Sequence, residues 1–500
     1  MYQGTKLNRF GACSEDEKYA NVPILACGAA GCRYAILLKG RILIAGTPKS
    51  QALLPIPRRN SALAPVSVVN NIRMDTPLVE PAGMLETITF YMGLALIFTK
   101  FAMLQEIQTE VMHFNLYLLY IFGIPAIFGM VMAGGLARTL TSRTTYYWVG
   151  FTLWMLICVP FSSWRSASFS LALSFLRTNL VMLFVVAGLV VSWRQCHLVL
   201  QSVGVAALCN LASSRIFANP ANEGRLNLDF GTVGNSTDFA AHLLLTLPFL
   251  LLFVYSAKSL LPRIGALLGV GFGIFTILRT GSRGALVALV VGALFMFLRG
   301  RSRERIALVG LVPICLAVGL VFLPSQLVDR LRSFSASSSN VDLGAIESSQ
   351  SRAYLLRKAV EYTAEFPLFG VGPGQFPSYE GGHSKTMGTH GYWHETHNVW
   401  LQASSECGVP GGLLFLAGWV SAFLLVNRTH RKAKSRSDCE DLQATTLCVM
   451  LAIICFCTAI TFLNFAYLFY GPAIAGLAIA LDHAADSEIE RRSRIATTAA

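Results

Sequence analysis

Charged residues are scarce in this 500-residue sequence, at 13% of the chain. Soluble domains carry roughly 25%. The 27 acidic residues are outnumbered by 32 phenylalanines, and 54% of all residues are hydrophobic. This shortage of charge argues against a soluble domain and favours a chain whose solvent is a lipid bilayer.

Paired cysteine patterns are also lacking. The 12 cysteines form no CxxC pair and no Cys/His cluster with zinc-ligand spacing, and Cys448, Cys455 and Cys457 lie together in one apolar run. In such runs cysteine acts as a small hydrophobic residue. We therefore expect neither a disulfide framework nor a structural zinc site, and no cofactor.

Basic residues are in excess, with a formal net charge of +13, but they lie in connections between apolar runs and form no surface of their own. In membrane proteins such an excess marks cytoplasmic loops. The pattern therefore predicts contact with a lipid bilayer and no nucleic-acid partner.

Long apolar runs are abundant, and about twelve of them could cross the roughly 30 Å of a bilayer core. They lie near 86–104, 114–134, 146–162, 170–192, 195–213, 239–257, 261–279, 283–299, 306–324, 398–427, 444–464 and 466–482. The sequence thus predicts an all-α fold, a polytopic transmembrane helical bundle of about twelve spans.

The distribution of arginine and lysine predicts the orientation of these spans. Every even-numbered connection is basic, and the richest ones, at 299–305 and 428–436, follow the eighth and tenth runs. Because basic loops stay in the cytoplasm, both termini are predicted to be cytoplasmic. The loops 214–238 and 325–397 are then predicted to face the extracytoplasmic side.

The chain is predicted to have three parts: a poorly ordered cytoplasmic extension at 1–84, a transmembrane domain at 85–483 and a cytoplasmic tail at 484–500. The large loop between the ninth and tenth spans is predicted to be partly helical, because apolar residues recur with helical spacing over 353–365. Three glycines within 370–374 predict a chain reversal directly afterwards.

Arginines at span boundaries on the outer side depart from the charge bias and are candidates for function. Arg279 and Arg283 flank a tight turn at 280–282, and Arg225 lies in a polar stretch with Asn235 before the next span. An arginine at membrane depth is costly and tends to be paired or functional, and its planar fork matches phosphate oxygens. The alternative, which we favour for Arg279, is a side chain that snorkels to the interface. The predicted ligand is an anionic lipid phosphate.

A cluster of His394, Glu395 and His397 directly precedes the tenth span. A histidine at the water–membrane boundary titrates near neutrality and can act as a general base. The alternative is that His394 and His397, three residues apart, share a metal ion on one helix face. Glu406, inside the span, is predicted to have a partner, for which the outer arginines are candidates.

Several short motifs occur in a fixed order across residues 220–420. They are Arg225 with Asn235, TGSRGA at 280–285, Ser351 with Arg352, PLFGVGPGQF at 367–376, HNVWL at 397–401 and ECGVPG at 406–411. Together with the large outer loop, this ordered set resembles the O-antigen ligase and O-antigen polymerase superfamily of bacterial membrane glycosyltransferases. No counterpart to residues 1–84 is recognised.

The resemblance implies transfer of a glycan from a polyprenyl-pyrophosphate carrier to an acceptor hydroxyl on lipid A core, another glycan or a protein. The reaction would be metal-independent and would take place on the outer face of the bacterial inner membrane, in cell-surface polysaccharide biosynthesis. By their positions in the motifs, Arg225 and Arg283 match arginines that hold the pyrophosphate. His397 matches the histidine that activates the acceptor hydroxyl.

Other residues are implied to bind substrate. Arg352 matches a recurring loop arginine that could contact phosphate or sugar. The remaining candidates for substrate binding are Arg279, Asn235, Glu406 and His394. Around Asn235, where the family frequently has a Pro-Asn pair, the sequence departs from the pattern, which leaves the role of this residue open.

A secondary transporter or flippase for a lipid-linked or anionic substrate is the alternative interpretation of so many spans. Transporters usually show internal repeats with broken helices, and no corresponding halves are recognisable in this sequence. A membrane sensor, a third class, would need a cytoplasmic effector domain, which these 500 residues do not contain. The ordered motifs favour the glycosyltransferase.

Overall fold

The structure is a computed structural model that describes residues 34–38, 41–45, 83–217, 219–220, 226–228, 231–306, 309–310, 313, 343–386 and 393–499. The chain divides into two compact units, Met1–Leu78 and Val79–Ala500. Most of the predicted extension 1–84 lies outside the described residues.

Within the first unit, β1 (Tyr34–Leu38) and β2 (Arg41–Ala45) form an antiparallel pair in which Leu38 is opposite Arg41. Both strands are apolar and contain isoleucine, a residue that suits a pleated ribbon. Residues 42–45 are therefore part of a strand in the first unit, and they lie outside the range 85–483 of the predicted helical bundle.

Helices make up most of the described part of the second unit. In chain order they are α1 (Met84–Phe101), α2 (Leu104–Met112), α3 (Leu118–Met132), α4 (Gly135–Thr139), α5 (Arg143–Cys158), α6 (Arg165–Ser174), α7 (Val181–Leu189), α8 (Trp193–Ile216), α9 (Ser236–Thr246), α10 (Leu251–Ser256), α11 (Leu260–Arg279), α12 (Arg283–Arg299), α13 (Leu343–Glu365), α14 (Phe376–Thr386), α15 (Val399–Lys434), α16 (Glu440–Ile460) and α17 (Tyr470–Ala499). A second short strand pair, β3 (Asn219–Pro220) and β4 (Leu226–Asn227), lies between α8 and α9.

Eight helical segments of the described residues are long and apolar enough to cross a membrane. They are Met84–Phe101, Arg143–Phe161, Arg165–Leu189, Trp193–Ile216, Ser236–Ser256, Leu260–Arg279, Val399–Lys434 and Glu440–Ile460, and each coincides with a predicted apolar run. The runs near 114–134 and 283–299 form the shorter helices α3 and α12, and the run near 306–324 lies mostly outside the described residues. The total of about twelve spans therefore stays a prediction.

The helices pack around large aromatic side chains. Trp148 of α5 is 1% exposed and meets the rings of Phe415 and Trp419 edge-on, with centroids 5.6 and 6.2 Å apart. Gly418 gives this indole its space, because a Cβ there would lie 2.8 Å from the Trp148 Cε2 atom. The aromatic cluster packs α15, the longest of the described helices, against α5.

The first turns of α12 and α15 meet the end of α16. Gly284 packs against Phe462, so that an added Cβ would lie 2.8 Å from the Phe462 Cδ2 atom. The Trp400 indole Nε1 donates a hydrogen bond to Thr461 Oγ1 at 3.0 Å. These three helix ends therefore lie at the same end of the bundle.

The starts of α9 and α17 join this end through buried polar groups. His242 Nδ1 lies 2.9 Å from the Tyr470 hydroxyl, and His242 Nε2 lies 2.9 Å from the carbonyl oxygen of Phe101. Asn210 Nδ2 donates to the same carbonyl at 2.9 Å. Phe101 is the last residue of α1 and Tyr470 is the first residue of α17. The network therefore connects the end of one helix to the start of another at this end of the bundle.

Candidate active site at one end of the helix bundle

The turn at 280–282 confirms the sequence prediction and positions Arg283. Thr280 Oγ1 donates to the Ile277 carbonyl oxygen at 2.6 Å, and Gly281 has a φ of 62°, a left-handed conformation that glycine adopts without strain. Ser282 then caps α12 by accepting the Ala285 backbone N–H at 3.3 Å. Arg283 is therefore the first residue of a helix that begins immediately after the turn.

Arg279 ends α11 on the other side of this turn and, like Arg283, is half-buried. Thr280 and Ser282 between them are buried. The turn is therefore a fixed, buried backbone segment with one arginine on each side, Arg279 before it and Arg283 after it.

The loop 367–376 docks against a break in α15. At Gly408 the helix has φ 70° and ψ 178°, and the next residue but one is Pro410. A continuous helix would pair the Ser405 and Glu406 carbonyl oxygens with the N–H groups four residues later. The Val409 N–H instead donates to the Pro367 carbonyl oxygen at 2.8 Å, and a proline has no N–H to give.

The loop supplies the missing donors. The Val371 N–H donates to the Ser405 carbonyl oxygen at 2.9 Å, and the Gly372 N–H donates to the Glu406 carbonyl oxygen at 3.0 Å. Gly370, with φ 66°, lies so close to this backbone that a Cβ would meet the Glu406 carbonyl oxygen at 2.6 Å. The glycine motif and the ECGVPG motif therefore form a single structural unit.

The Glu406 side chain completes this unit. It is fully buried, and its Oε2 and Oε1 atoms accept the backbone N–H groups of Gly374 and Phe376 at 2.9 and 3.1 Å. The prediction that an outer arginine would be its partner is wrong, because the chain reversal brings two backbone donors to the carboxyl group. Phe376 begins α14, so the carboxyl group also lies at the N-terminus of that helix.

Replacing Glu406 with glutamine should loosen this loop. The glutamine amide has one acceptor oxygen, so its NH₂ group would face one of the two N–H donors and leave it unsatisfied at a cost of about 1–3 kcal/mol. We expect a lower thermal unfolding midpoint and faster proteolysis at 367–376 in the purified protein. Glu361→Gln, an exposed carboxylate paired to Lys358 on α13, is the control and should change little. Equal stability of the two variants would contradict the anchoring role.

His397 lies just before α15, in a conformation set by its neighbours. The Asn398 side chain caps the helix by accepting the Trp400 and Leu401 backbone N–H groups at 3.1 and 3.0 Å. The backbone of His397 has a φ of 50°, and Thr396 on its other side is fully buried. The imidazole is therefore held by a fixed backbone at the bundle end.

The surroundings of His397 keep its imidazole neutral. Burial, the positive charge of Arg352 and the charge of His394 together lower the pKa of His397 from 6.5 to about 4. The structure therefore brings two further candidates, Arg352 on α13 and the exposed His394, into electrostatic range of the histidine. A neutral imidazole can accept a proton at physiological pH.

The helix that carries Arg352 is held by a carboxylate that the sequence did not identify. Glu380 of α14 is fully buried and accepts hydrogen bonds from the hydroxyls of Tyr354, at 2.7 Å, and Tyr362. These bonds clamp α13 to α14 above the docked loop. Nothing in the sequence spacing pairs Glu380 with these tyrosines, which lie 26 and 18 residues before it in the chain.

Glu395 belongs to the cluster with His394 and His397 that precedes α15. It lies two residues before His397, hydrogen-bonds to Asn464, and has a pKa raised by burial. Among the described residues, its Oε2 atom is buried without a hydrogen-bond partner. A second titratable group therefore lies next to the histidine.

Asn235 serves as the N-cap of α9. Its Oδ1 accepts the backbone N–H groups of Thr237 and Asp238, both at 2.9 Å, and its Nδ2 donates to Asp238 Oδ2 at 2.8 Å. These bonds give the side chain a structural task that the sequence did not predict. Arg225, the other candidate before this helix, lies outside the described residues.

A shared metal on His394 and His397 required helical spacing between them. Residues 393–398 instead precede α15, and the positive φ of His397 is not helical, so this geometry is wrong. In the ranges that the structure describes, no group of three or more His, Cys, Asp or Glu residues could hold a metal ion.

Residues 264–416 match the family model described as O-Antigen ligase. The matched range contains Arg283, Arg352, His397 and Glu406, together with the loop that docks at the break in α15. No curated protein matches the chain. The match supports a membrane glycosyltransferase-type role in polysaccharide assembly for a multi-pass bacterial membrane protein. The match confirms that residues 264–416 resemble the O-antigen ligase and polymerase superfamily.

Proposed function

We propose that this protein transfers a glycan from a polyprenyl-pyrophosphate carrier to an acceptor hydroxyl, as an O-antigen ligase or polysaccharide polymerase. The observation that carries the proposal is the position of His397, which lies in electrostatic range of Arg352 and at the bundle end that also holds Arg283. The reaction needs a base for the acceptor and positive charge for the leaving group.

His397 is the proposed base. As the acceptor oxygen attacks the anomeric carbon, its proton passes to an imidazole nitrogen. The bond from that carbon to the pyrophosphate breaks, and its electron pair leaves with the carrier. A positioned base of this kind contributes about 10²–10⁴-fold to the rate.

Arg283, Arg352 and Arg225 are the proposed contacts to the departing pyrophosphate. Their guanidinium groups donate in a planar fork that matches two phosphate oxygens at once. Negative charge grows on the leaving group during transfer, so fixed donors stabilise the transition state more than the ground state. The arginines supply this charge, and the proposed reaction is metal-independent.

The same positive charges explain how a histidine with a low pKa can act as base. A bound pyrophosphate adds negative charge close to the imidazole, which favours its protonated form. The pKa of His397 therefore rises toward neutrality when the donor binds, where a general base is most effective. In the free site the histidine stays neutral and ready.

The proposed orientation places this end of the bundle on the extracytoplasmic face of the bacterial inner membrane, with both termini in the cytoplasm. Basic residues are concentrated at the other ends of α12 and α15, where the positive-inside bias expects the cytoplasm. The bilayer then holds the lipid-linked donor in the plane of the site, which supplies proximity.

Reconstituted protein tests the proposal directly. Liposomes would contain the full-length protein, a polyprenyl-pyrophosphate-linked oligosaccharide and either lipid A core or a second lipid-linked glycan. We expect one free carrier pyrophosphate for each glycan transferred, detected by mass spectrometry. Movement of intact donor across the bilayer without release of pyrophosphate would instead support a flippase.

The pH dependence of transfer should report the lowered pKa of His397. Because the base must be neutral, kcat/KM falls as pH drops through the pKa of the free site, so its acidic limb should lie near pH 4 instead of 6.5. Removing the repelling charge in Arg352→Gln should move this limb to higher pH. The exposed Arg357 on the same helix is the control, and Arg357→Gln should leave the limb in place. If the acidic limb did not shift in Arg352→Gln, the charge of Arg352 would not lower the pKa of the catalytic base.

A further inference from the structure

A second polar site lies at the opposite end of the bundle. A cavity of about 560 Å³ opens between the end of α12, the end of α15 and the start of α16. Its lining includes Arg299, the last residue of α12, and Arg431 and Lys434 in the last turn of α15. About 50 Å of helix separates these residues from His397 at 1.5 Å per residue. The cavity therefore forms no part of the proposed active site.

The cavity is strongly basic. Its five basic side chains are Arg299, Arg301, Arg305, Arg431 and Lys434, and its carboxylate is Glu304. The two Glu304 oxygens are already engaged, one by the Tyr255 hydroxyl at 2.9 Å and the other by the Arg301 backbone N–H at 2.7 Å. The positive charge facing the cavity is therefore largely uncompensated.

Two of the cations are held in place by neutral side chains. Arg299 donates to the Asn427 amide oxygen at 3.3 Å, and Arg301 donates to the Gln443 amide oxygen at 2.7 Å. Across the described residues, the side chains of Arg431 and Lys434 make no hydrogen bond or ion pair. Arg301 also forms an ion pair with Glu440, from Nη1 to Oε2 at 3.5 Å, so its charge is partly compensated. An amide partner orients a guanidinium without neutralising it, so the charge of Arg299 remains available to a ligand.

Neighbouring cations that point away from the cavity are treated differently. Lys432 pairs with Asp486 at 2.6 Å, Arg436 with Asp438 at 3.1 Å and Arg492 with Asp441 at 2.8 Å. A general excess of basic residues at a cytoplasmic surface would not sort its charges this way. Apart from Arg301, the cations that line the cavity have no acidic partner among the described residues.

An apolar stripe of α12 leads from the membrane-facing surface to this cavity. Its members share one helix face and are exposed by 47–68%: Val290, Leu294, Phe297 and Leu298. Leu298 also lines the cavity. In a bilayer such a stripe faces hydrocarbon, so an acyl chain can lie along it while its headgroup enters the cavity. This continuity favours a lipid over a freely dissolved anion.

We propose that this cavity binds the phosphate headgroup of an anionic phospholipid, with Arg431 and Lys434 as its principal contacts. Basic pockets between transmembrane helices suit such headgroups, and each lysine or arginine near an anionic surface adds about fivefold to binding. The bound lipid would join α12, α15 and α16 at the end of the bundle away from the catalytic chemistry.

Native mass spectrometry of the full-length protein tests this site. The protein would be released from nanodiscs that contain phosphatidylglycerol or phosphatidylcholine. We expect retained phosphatidylglycerol on the wild type and binding weakened on the order of 30-fold in Arg431→Gln/Lys434→Gln, because two charges are lost. The matched control is Arg303→Gln/Arg428→Gln, which removes the same charge from exposed positions that do not line the cavity.

The thermal unfolding midpoint provides a second measurement on the same samples. Phosphatidylglycerol should raise the midpoint of the wild type and the control double variant, but not that of the cavity double variant. If both double variants lost the same amount of phosphatidylglycerol binding, binding would depend on general surface charge and not on the cavity, and the proposal would be overturned. Displacement of the lipid by millimolar inorganic phosphate would overturn it in favour of a site for a soluble anion.

Discussion

His397→Ala should lower glycan transfer by about 10²–10⁴-fold, the usual contribution of a positioned general base. The His397 imidazole takes the proton of the acceptor hydroxyl in the proposed reaction, and an alanine side chain has no atom that can accept it. The donor should still bind, because its contacts are the arginines. We therefore expect the loss to appear in kcat more than in donor KM, measured with purified protein in liposomes.

His383→Ala is the matched control for this experiment. His383 is exposed on α14 and stacks on Tyr379, with ring centroids 5.8 Å apart. It is therefore a histidine of the same loop region that is distant from His397 in sequence. Normal transfer is expected from the control. If His397→Ala kept more than a tenth of wild-type turnover, while folding normally, the base would have to be another group, and Glu395 would be the nearest titratable one in sequence.

The sequence predicted local features of the site well. The helix expected over 353–365 lies within α13, which ends at Glu365 as expected, and the three glycines at 370–374 do reverse the chain with positive φ angles. The tight turn before Arg283 is also present. Each of these features depends on a few neighbouring residues, so local spacing and glycine chemistry were enough to find them.

Contacts between residues that are far apart in the chain could not be predicted from local spacing. The hydrogen-bond partners of the Glu406 side chain lie about thirty residues earlier in the chain, at Gly374 and Phe376. The break in α15 at Gly408 leaves the Ser405 and Glu406 carbonyl oxygens free to accept hydrogen bonds from the same loop. A sequence shows the proline and the glycines, but it does not show that one motif completes the other. A buried carboxylate needs hydrogen-bond donors, and backbone N–H groups supply them to Glu406 as well as an arginine could.

The spans show a similar limit. An apolar run gives a length, while the structure sets where the helix starts and which turns join it to the next. α6 continues into α7 through a π-helical turn at Phe175–Leu180, and α9 continues into α10 through a 3₁₀ turn at Leu247–Leu250. Hydropathy merges such pieces into single candidate spans, because a bilayer responds to length and polarity and not to the hydrogen-bond pattern.

Arg283→Lys should lower kcat/KM by roughly 10- to 100-fold, although the charge is kept. The planar guanidinium donates two parallel N–H bonds to phosphate oxygens, whereas the lysine ammonium is a single, strongly hydrated point. Arg279→Lys provides a matched comparison, because Arg279 flanks the same turn and is also half-buried. If Arg279 only snorkels to the interface, lysine serves equally well there and activity stays near normal. Similar losses in both variants would mean that the turn binds phosphate with two forks, and full activity in Arg283→Lys would remove this residue from the pyrophosphate site.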